Sequence, residues 1–162
     1  MKIAVTDASI FIDLLECHGC EAFFGLSYQI VTSYQIWREL DPDQRTILSA
    51  WVDNGQLTVI RIEDDFIAAT QPYNLSLSLS VPDRSAWFLA MKESALLLTS
   101  DGALRKMGKK HGIQTHGLLW LFEQMVEEQT LSPSEAVFKL QGIFDQNLYY
   151  KGNQKLMSAF KK

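Results

Sequence analysis

Residues 3–15, IAVTDASIFIDLL, decide how this chain is read. Ile3, Ala4 and Val5 form a short apolar run of the kind that fills the middle of a sheet, and a helical pattern starts directly after Asp7. A carboxylate therefore stands where the first core strand meets the first helix. Two explanations are open for it. Asp is a favoured N-cap, because its side-chain oxygen accepts a hydrogen bond from an otherwise unpaired N–H of the first turn, worth about 1 kcal/mol. Asp is also a residue type that ligates hard cations.

Four more β-rich runs lie further along: SYQIVT (27–32), LTVIRI (57–62), ALLLTS (95–100) and GIQTH (112–116). Helical patterns separate them. The first covers about residues 9–17. TSYQIWREL follows, with Thr32 and Gln35 spaced for a capping box and Pro42 closing the segment. QRTILSAWVDNG ends on a glycine, and 63–92 holds more than one helix. Apolar strands alternating with helices indicate a parallel sheet covered on both faces, and right-handed crossovers then give a doubly wound α/β fold. From residue 117 the pattern is wholly helical. GLLWLFEQMVEE is followed by SPSEAVFKLQGIF, with Ser132 as N-cap, Pro133 at the first helical position and Glu135 three residues after the cap.

The 162 residues, 47% of them apolar, suffice for one domain with a full core. No apolar stretch approaches the roughly 20 residues of a membrane span. Asp7 and Asp13 interrupt any secretory h-region, so a cytoplasmic location is expected. The net charge of -4 argues against wholesale coating of nucleic acid but allows a local basic stripe. The only cysteines, Cys17 and Cys20, stand in CHGC. A thioredoxin-type pair sits where a strand feeds a helix. This pair follows the helical stretch instead, beside Gly19, which reads as a C-cap. For zinc, Cys17, Cys20 and His18 make at most half a structural site. Packing at a helix end is the expected role.

In an open parallel sheet, ligands bind outside the carboxyl ends of the strands, where strand order reverses. Asp7 ends the first run and Asp101 ends the fourth. If the fourth strand inserts beside the first, these carboxylates meet at that switch point. Glu39 lies late in TSYQIWREL, and Asp83 lies in the first helical turn of SVPDRSAWFLA. Each has a local explanation. Asp7 and Asp101 can be N-caps, Asp83 can suit the helix dipole with Ser80 as capping partner, and Glu39 can be solvated beside Arg38. Taken together they suggest more. Clustered carboxylates repel one another and raise their own pKa values unless a cation is present, and hard oxygen donors suit Mg²⁺ or Mn²⁺.

The ordered set of Asp7 with Ser9 (TDASIFIDL), Glu39 (TSYQIWREL), Asp83 (VPDRSAWFLA) and Asp101 (LLTSDGALRKMGKKHGI) resembles the PIN domain, the fold of many metal-dependent ribonucleases. The similarity is greatest to VapC-type toxins of bacterial toxin–antitoxin pairs and their uncharacterised relatives. It runs from about residue 2 to about residue 122. The resemblance implies a three-layer α/β/α sandwich around a central parallel sheet, with a nuclease domain at 1–122. The helical extension at 123–162 would pack on that same domain. It also implies that Asp7, Glu39, Asp83 and Asp101 bind one or two Mg²⁺ or Mn²⁺ ions and hydrolyse RNA. Ser9 and Thr99 match polar positions that support the metal-binding side chains. An antitoxin protein and a homodimer are the partners it suggests besides RNA. The helical tail is longer than many small toxins carry. An exposed aromatic stripe there, from Tyr149, Tyr150 and Phe160, would suit a dimer or an antitoxin.

For an acidic chain, RNA needs a local basic patch. ALRKMGKKHG follows Asp101, with Arg105 and Lys109 on one helix face and Lys106 and Lys110 on the adjacent one. The alternative is that these cations complement the helix dipole and face water. Arg38 and Arg84 are weaker candidates for the same role. His111 and His116 lack the spacing of a helical metal pair, and His116 reads as structural. Trp51, Trp87, Phe88, Trp120 and Phe122 read as core.

Among rival functions, an RNA- or protein-binding module of the same fold with an incomplete metal site ranks second. A receiver domain would need an acidic neighbour for Asp7, and Glu63-Asp64-Asp65 after LTVIRI is its only support. Asp7-Ala8-Ser9 lacks the Asp-x-Asp of a haloacid-dehalogenase nucleophile. No Gly-x-Gly-x-x-Gly follows a strand, which disfavours dinucleotide binding.

Overall fold

Val5 and Leu97 stand side by side at the centre of a five-stranded sheet, both fully buried. The computed structural model describes residues 1–63, 66–73 and 79–146 of the chain. Its strands are β1 (Lys2–Thr6), β2 (Tyr28–Ser33), β3 (Leu57–Ile60), β4 (Leu96–Leu98) and β5 (Thr115–His116), ordered β3-β2-β1-β4-β5. Every neighbouring pair is parallel. The chain steps outward from β1 through β2 to β3, then returns across the sheet to β4 and continues to β5. Strand order thus reverses between β1 and β4, so the fourth strand does insert beside the first, the condition for the two strand-end acids to share the switch point.

The helices are α1 (Ala8–Glu16), α2 (Cys20–Phe24), α3 (Tyr34–Glu39) and α4 (Pro42–Asp53) on the outward path. The return path carries α5 (Phe66–Thr70), a 3-10 turn at Gln71–Tyr73 and α6 (Val81–Lys92), and α7 (Gly102–Lys110) links β4 to β5. Parallel strands joined in this order carry helices on both faces, a three-layer α/β/α sandwich, and α3, which starts directly at the carboxyl end of β2, packs against α6. Helix α6 packs against β1, β2 and β4. The last helices are α8 (Leu118–Glu127), which runs through residue 122, and α9 (Pro133–Gln146). Phe122, Met125, Leu140 and Ile143 belong to the same buried cluster as Val5 and Phe11. Among the described residues no helix is long and apolar enough to cross a membrane. Tyr149, Tyr150, Phe160, Asp64 and Asp65 lie outside the described residues.

Local chemistry moved several expected boundaries. Ser33, not Thr32, caps α3, accepting from the Ile36 N–H at 3.0 Å. Thr32 is still in β2, where its hydroxyl donates to the Thr6 carbonyl. Pro42 opens α4 behind an Asp41–Gln44 capping box rather than merely ending α3. Gly19 is not the left-handed cap of α1; His18 takes that conformation, at φ 57°. Gly19 is instead needed for close approach, since a Cβ there would lie 3.1 Å from both Cys17 Sγ and a Leu14 methyl. Burial pushes the Cys17 thiol up to about 11 and the Cys20 thiol up to about 12, so both stay protonated, as packing residues do.

Asp13, on the buried side of α1, has its pKa raised to about 6 by burial, with the Glu16 charge adding to the effect. A carboxyl with a raised folded pKa stabilises fully below its unfolded pKa, and that contribution is lost as pH rises through the folded value. Thermal stability is therefore expected to fall between pH 3.8 and about 6 on account of Asp13. Asp13→Asn should flatten that part of the profile and raise stability at pH 7 by about 1–2 kcal/mol. Melts of both proteins across this range check it; an unchanged slope would refute the assignment.

Candidate functional site

The carboxyl end of β1 delivers Asp7 into the switch point. Its backbone N–H donates to Leu98 O of β4 at 3.0 Å, stitching the two strand ends together. The side chain is buried, at 4% exposure, and it accepts three hydrogen bonds. Oδ1 takes the Ala8 N–H at 2.8 Å; Oδ2 takes the Ser9 hydroxyl at 3.1 Å and the Thr99 hydroxyl at 2.6 Å. Asp7 does cap α1, then, but it engages only the first N–H of the helix and spends its second oxygen on the two hydroxyls.

Those hydroxyls are wired onward. Thr99 Oγ1 also accepts the Asp101 N–H at 3.0 Å, and Ser9 Oγ accepts the Ser100 N–H at 3.1 Å. Asp101 caps α7, accepting from the Leu104 N–H at 2.9 Å. The turn after β4 is thereby tied to the turn after β1 at two points. Helix α7 can sit against β5 because residue 108 is glycine: any Cβ there would collide with the Thr115 hydroxyl.

Asp83 arrives from the other direction. It completes a capping box with Ser80 at the start of α6, its carboxylate accepting from the Ser80 N–H at 3.2 Å. One turn into the same helix, the Ser85 hydroxyl meets that of Ser33 at 2.7 Å, with both residues fully buried. This contact fixes the start of α3 against α6, and Glu39 is the last residue of α3.

Electrostatics link three of these acids. Burial is the main cause that raises the Asp7 pKa, and the Asp83 charge raises it further against the opposing hydrogen bonds. Glu39 is raised to about 6, first by partial desolvation and then by the charges of Asp7 and Asp83. Such mutual repulsion is what a bound cation relieves. The donors are all hard oxygens, which is the chemistry of Mg²⁺ or Mn²⁺. Among the described residues, no three acidic, histidine or cysteine side chains stand close enough to hold an ion as they are. Mg²⁺ commonly takes only one or two carboxylates and keeps several waters, so this donor set suits it chemically.

Of the basic residues, Lys106, Lys109 and Lys110 are exposed, whereas Arg105 is half-buried over Gly117. Arg105 and Lys109 both bear on His116, whose pKa is lowered, mainly by burial and then by these charges. His116 stacks on Trp120 with ring centroids 3.9 Å apart. Arg84 Nε donates to the Leu79 carbonyl. Sequence reasoning missed Arg61, which lies just past the carboxyl end of β3 with its guanidinium over the Tyr34 ring at 4.1 Å. Its signal was legible: a cation following a strand on the ligand edge of the sheet.

Comparison with curated proteins found no match. Among solved structures, the chain is similar to a PilT N-terminus domain protein from the hyperthermophilic archaeon Sulfolobus solfataricus P2, at 19% identity and a TM-score of 0.50. That alignment covers 80% of this chain and 94% of the other, and it supports the fold alone. The DUF3368 family model, described as a PIN domain, matches residues 3–158. The chain therefore belongs to the PIN-domain family, a nuclease-type fold.

Proposed function

We propose that this protein is a Mg²⁺- or Mn²⁺-dependent endoribonuclease acting in the cytoplasm. The observation that carries this reading is Asp7: a buried strand-end carboxylate, raised in pKa, held by two hydroxyls and repelled by its neighbours in a fold of nuclease type. Asp7, Glu39, Asp83 and Asp101 would hold the metal, which when bound activates a water and neutralises charge at the scissile phosphate. Ser9 and Thr99 orient Asp7 by donating to the same oxygen, leaving the other to the first turn of α1. Exposed Lys106, Lys109 and Lys110, with Arg105, offer phosphate contacts next to Asp101.

Incubating the whole chain with a mixed single-stranded RNA pool tests the reading. Internal cleavage with Mg²⁺ or Mn²⁺, and none in EDTA, is the expected result; cleavage that persists in EDTA would overturn it. Thr99→Val keeps the shape but removes the donor to Asp7, and it should weaken Mn²⁺ binding about 10–100-fold without unfolding the protein. A titration that matches the parent would show that Thr99 does not orient Asp7. The narrower reading, a toxin acting as a homodimer and restrained by an antitoxin, predicts growth arrest on expression that a co-expressed partner relieves.

A second reading has one observation in its favour. The absence of three ligating groups in contact, among the described residues, suits an RNA- or protein-binding module without the chemistry. It predicts no divalent-ion binding at the carboxylates.

A further inference from the structure

A cavity of about 640 Å³ opens beside Glu39, between the end of α3, the residues after β3 and the first turn of α6. That volume lies in the range of sites for small organic ligands, roughly 300–1,000 Å³. Two guanidiniums address one aromatic ring on its wall. Arg61 Cζ lies 4.1 Å from the Tyr34 centroid, and Arg38 Cζ lies 5.9 Å from it. Both arginines are exposed, so their remaining N–H groups are accessible to a ligand. Tyr34 itself is well fixed. It is the first residue of α3, directly after Ser33, whose buried hydroxyl contacts Ser85 of α6.

We propose that this cavity holds one nucleotide of an RNA strand flanking the cleaved bond, with its phosphate bound by Arg38 and Arg61. The proposal rests on the ribonuclease reading for its position relative to the reaction. It does not depend on that reading for binding itself. Arginine forks match phosphate oxygens, and a guanidinium laid on an aromatic ring presents a flat cationic surface on which a base can stack. Glu39 and Glu63 on the same wall repel a compact free anion such as inorganic phosphate. A nucleotide avoids much of that repulsion, because its ribose hydroxyls and base N–H groups can donate to Glu63, which the metal site does not use, while its phosphate stays at the arginines. Ile62, Val81 and Pro82 add apolar surface for the sugar and base.

The test is fluorescence anisotropy of a labelled single-stranded RNA with the full chain carrying Asp7→Asn, so that binding is read without cleavage. Arg61→Ala and Arg38→Ala in that background should each weaken binding about tenfold. Removing both arginines together should also reduce the slope of log affinity against log salt by about 0.7, the value for one lost phosphate contact on a single strand. Lys2→Ala, at the opposite end of β1, should change neither quantity. Affinity unchanged in both arginine variants and salt slope unchanged in the double variant, with melting temperatures matching the parent, would overturn the nucleotide site even if the wild-type chain cleaves RNA. Arginine-dependent binding in a chain that never cleaves RNA would sustain the nucleotide site and remove the ribonuclease reading instead.

Discussion

Asp7→Asn is expected to lower RNA cleavage by about a thousandfold or more, the scale on which groups acting as a unit fail when one is removed. The fold should survive. Asn caps helices about as well as Asp, so the bond from the Ala8 N–H is retained. The Thr99 and Ser9 hydroxyls can rotate to accept from an amide. Metal-free stability at pH 7 should hold or rise. Burial and the nearby Asp83 charge raise the folded pKa of Asp7, so its ionisation works against the folded state as pH climbs through that value. An asparagine escapes this loss. A circular-dichroism melt together with a cleavage assay separates the two effects. A variant that melts early, with activity lost only in proportion to unfolding, would make Asp7 a structural cap and nothing more.

Trp87→Ala is expected to cost about 3–5 kcal/mol of stability, the largest loss available from a single truncation near the site. Trp87 is the largest fully buried side chain in the protein's described residues, and it meets Tyr73 and His111 edge-on at 5.0 and 5.3 Å. It lies one turn beyond Asp83 on α6, so its packing also holds that acid in place. Trp87→Phe should cost far less than the alanine change. The indole N–H is buried with no hydrogen-bond partner among the described residues, and removing an unsatisfied donor offsets part of the lost area. Denaturant titrations of the two variants check the contrast. Equal losses would mean that the indole nitrogen is satisfied and contributes to stability.

How much of this was legible in the sequence differs by residue. The apolar runs that form β1 and β4, each followed by an acid, marked Asp7 and Asp101 as strand-end candidates; that the two strands are neighbours rested on the usual order of doubly wound sheets, which the pairing of Val5 with Leu97 bears out. The Ser80–Asp83 and Ser132–Glu135 pairings were legible because capping is local. The start of α3 was not. Thr32 and Ser33 are both good caps in isolation, and the choice was made by pairing of Ser33 with Ile60 in β3 and by the Thr32 bond to Thr6. Gly19 misled for a related reason. Its side-chain-free surface is used against Leu14 and Cys17, leaving His18 to adopt the left-handed turn.

The site shows the same division. Topology pointed to Asp7 and Asp101 alone, whereas Glu39 and Asp83 joined the set through the family resemblance; the charges of Asp7 and Asp83 on Glu39, and of Asp83 on Asp7, couple those three. The spacing between carboxylates did not follow, since it depends on how α3 is pinned to α6 through Ser33 and Ser85. The Arg61–Tyr34 contact was likewise invisible, because it joins the residue after β3 to the start of α3 across a fold that pattern alone does not measure.

A divalent-cation site at Asp7, Glu39, Asp83 and Asp101 is what the proposed function requires. Calorimetric titration of Mn²⁺ into the wild-type chain and into Asp7→Asn at pH 6 tests it most directly. Saturable binding with proton release is expected for the wild type, because Glu39 is half-protonated near that pH, and no binding is expected for the variant. Absence of saturable heat in the wild type, or identical isotherms for the two proteins, would contradict the account.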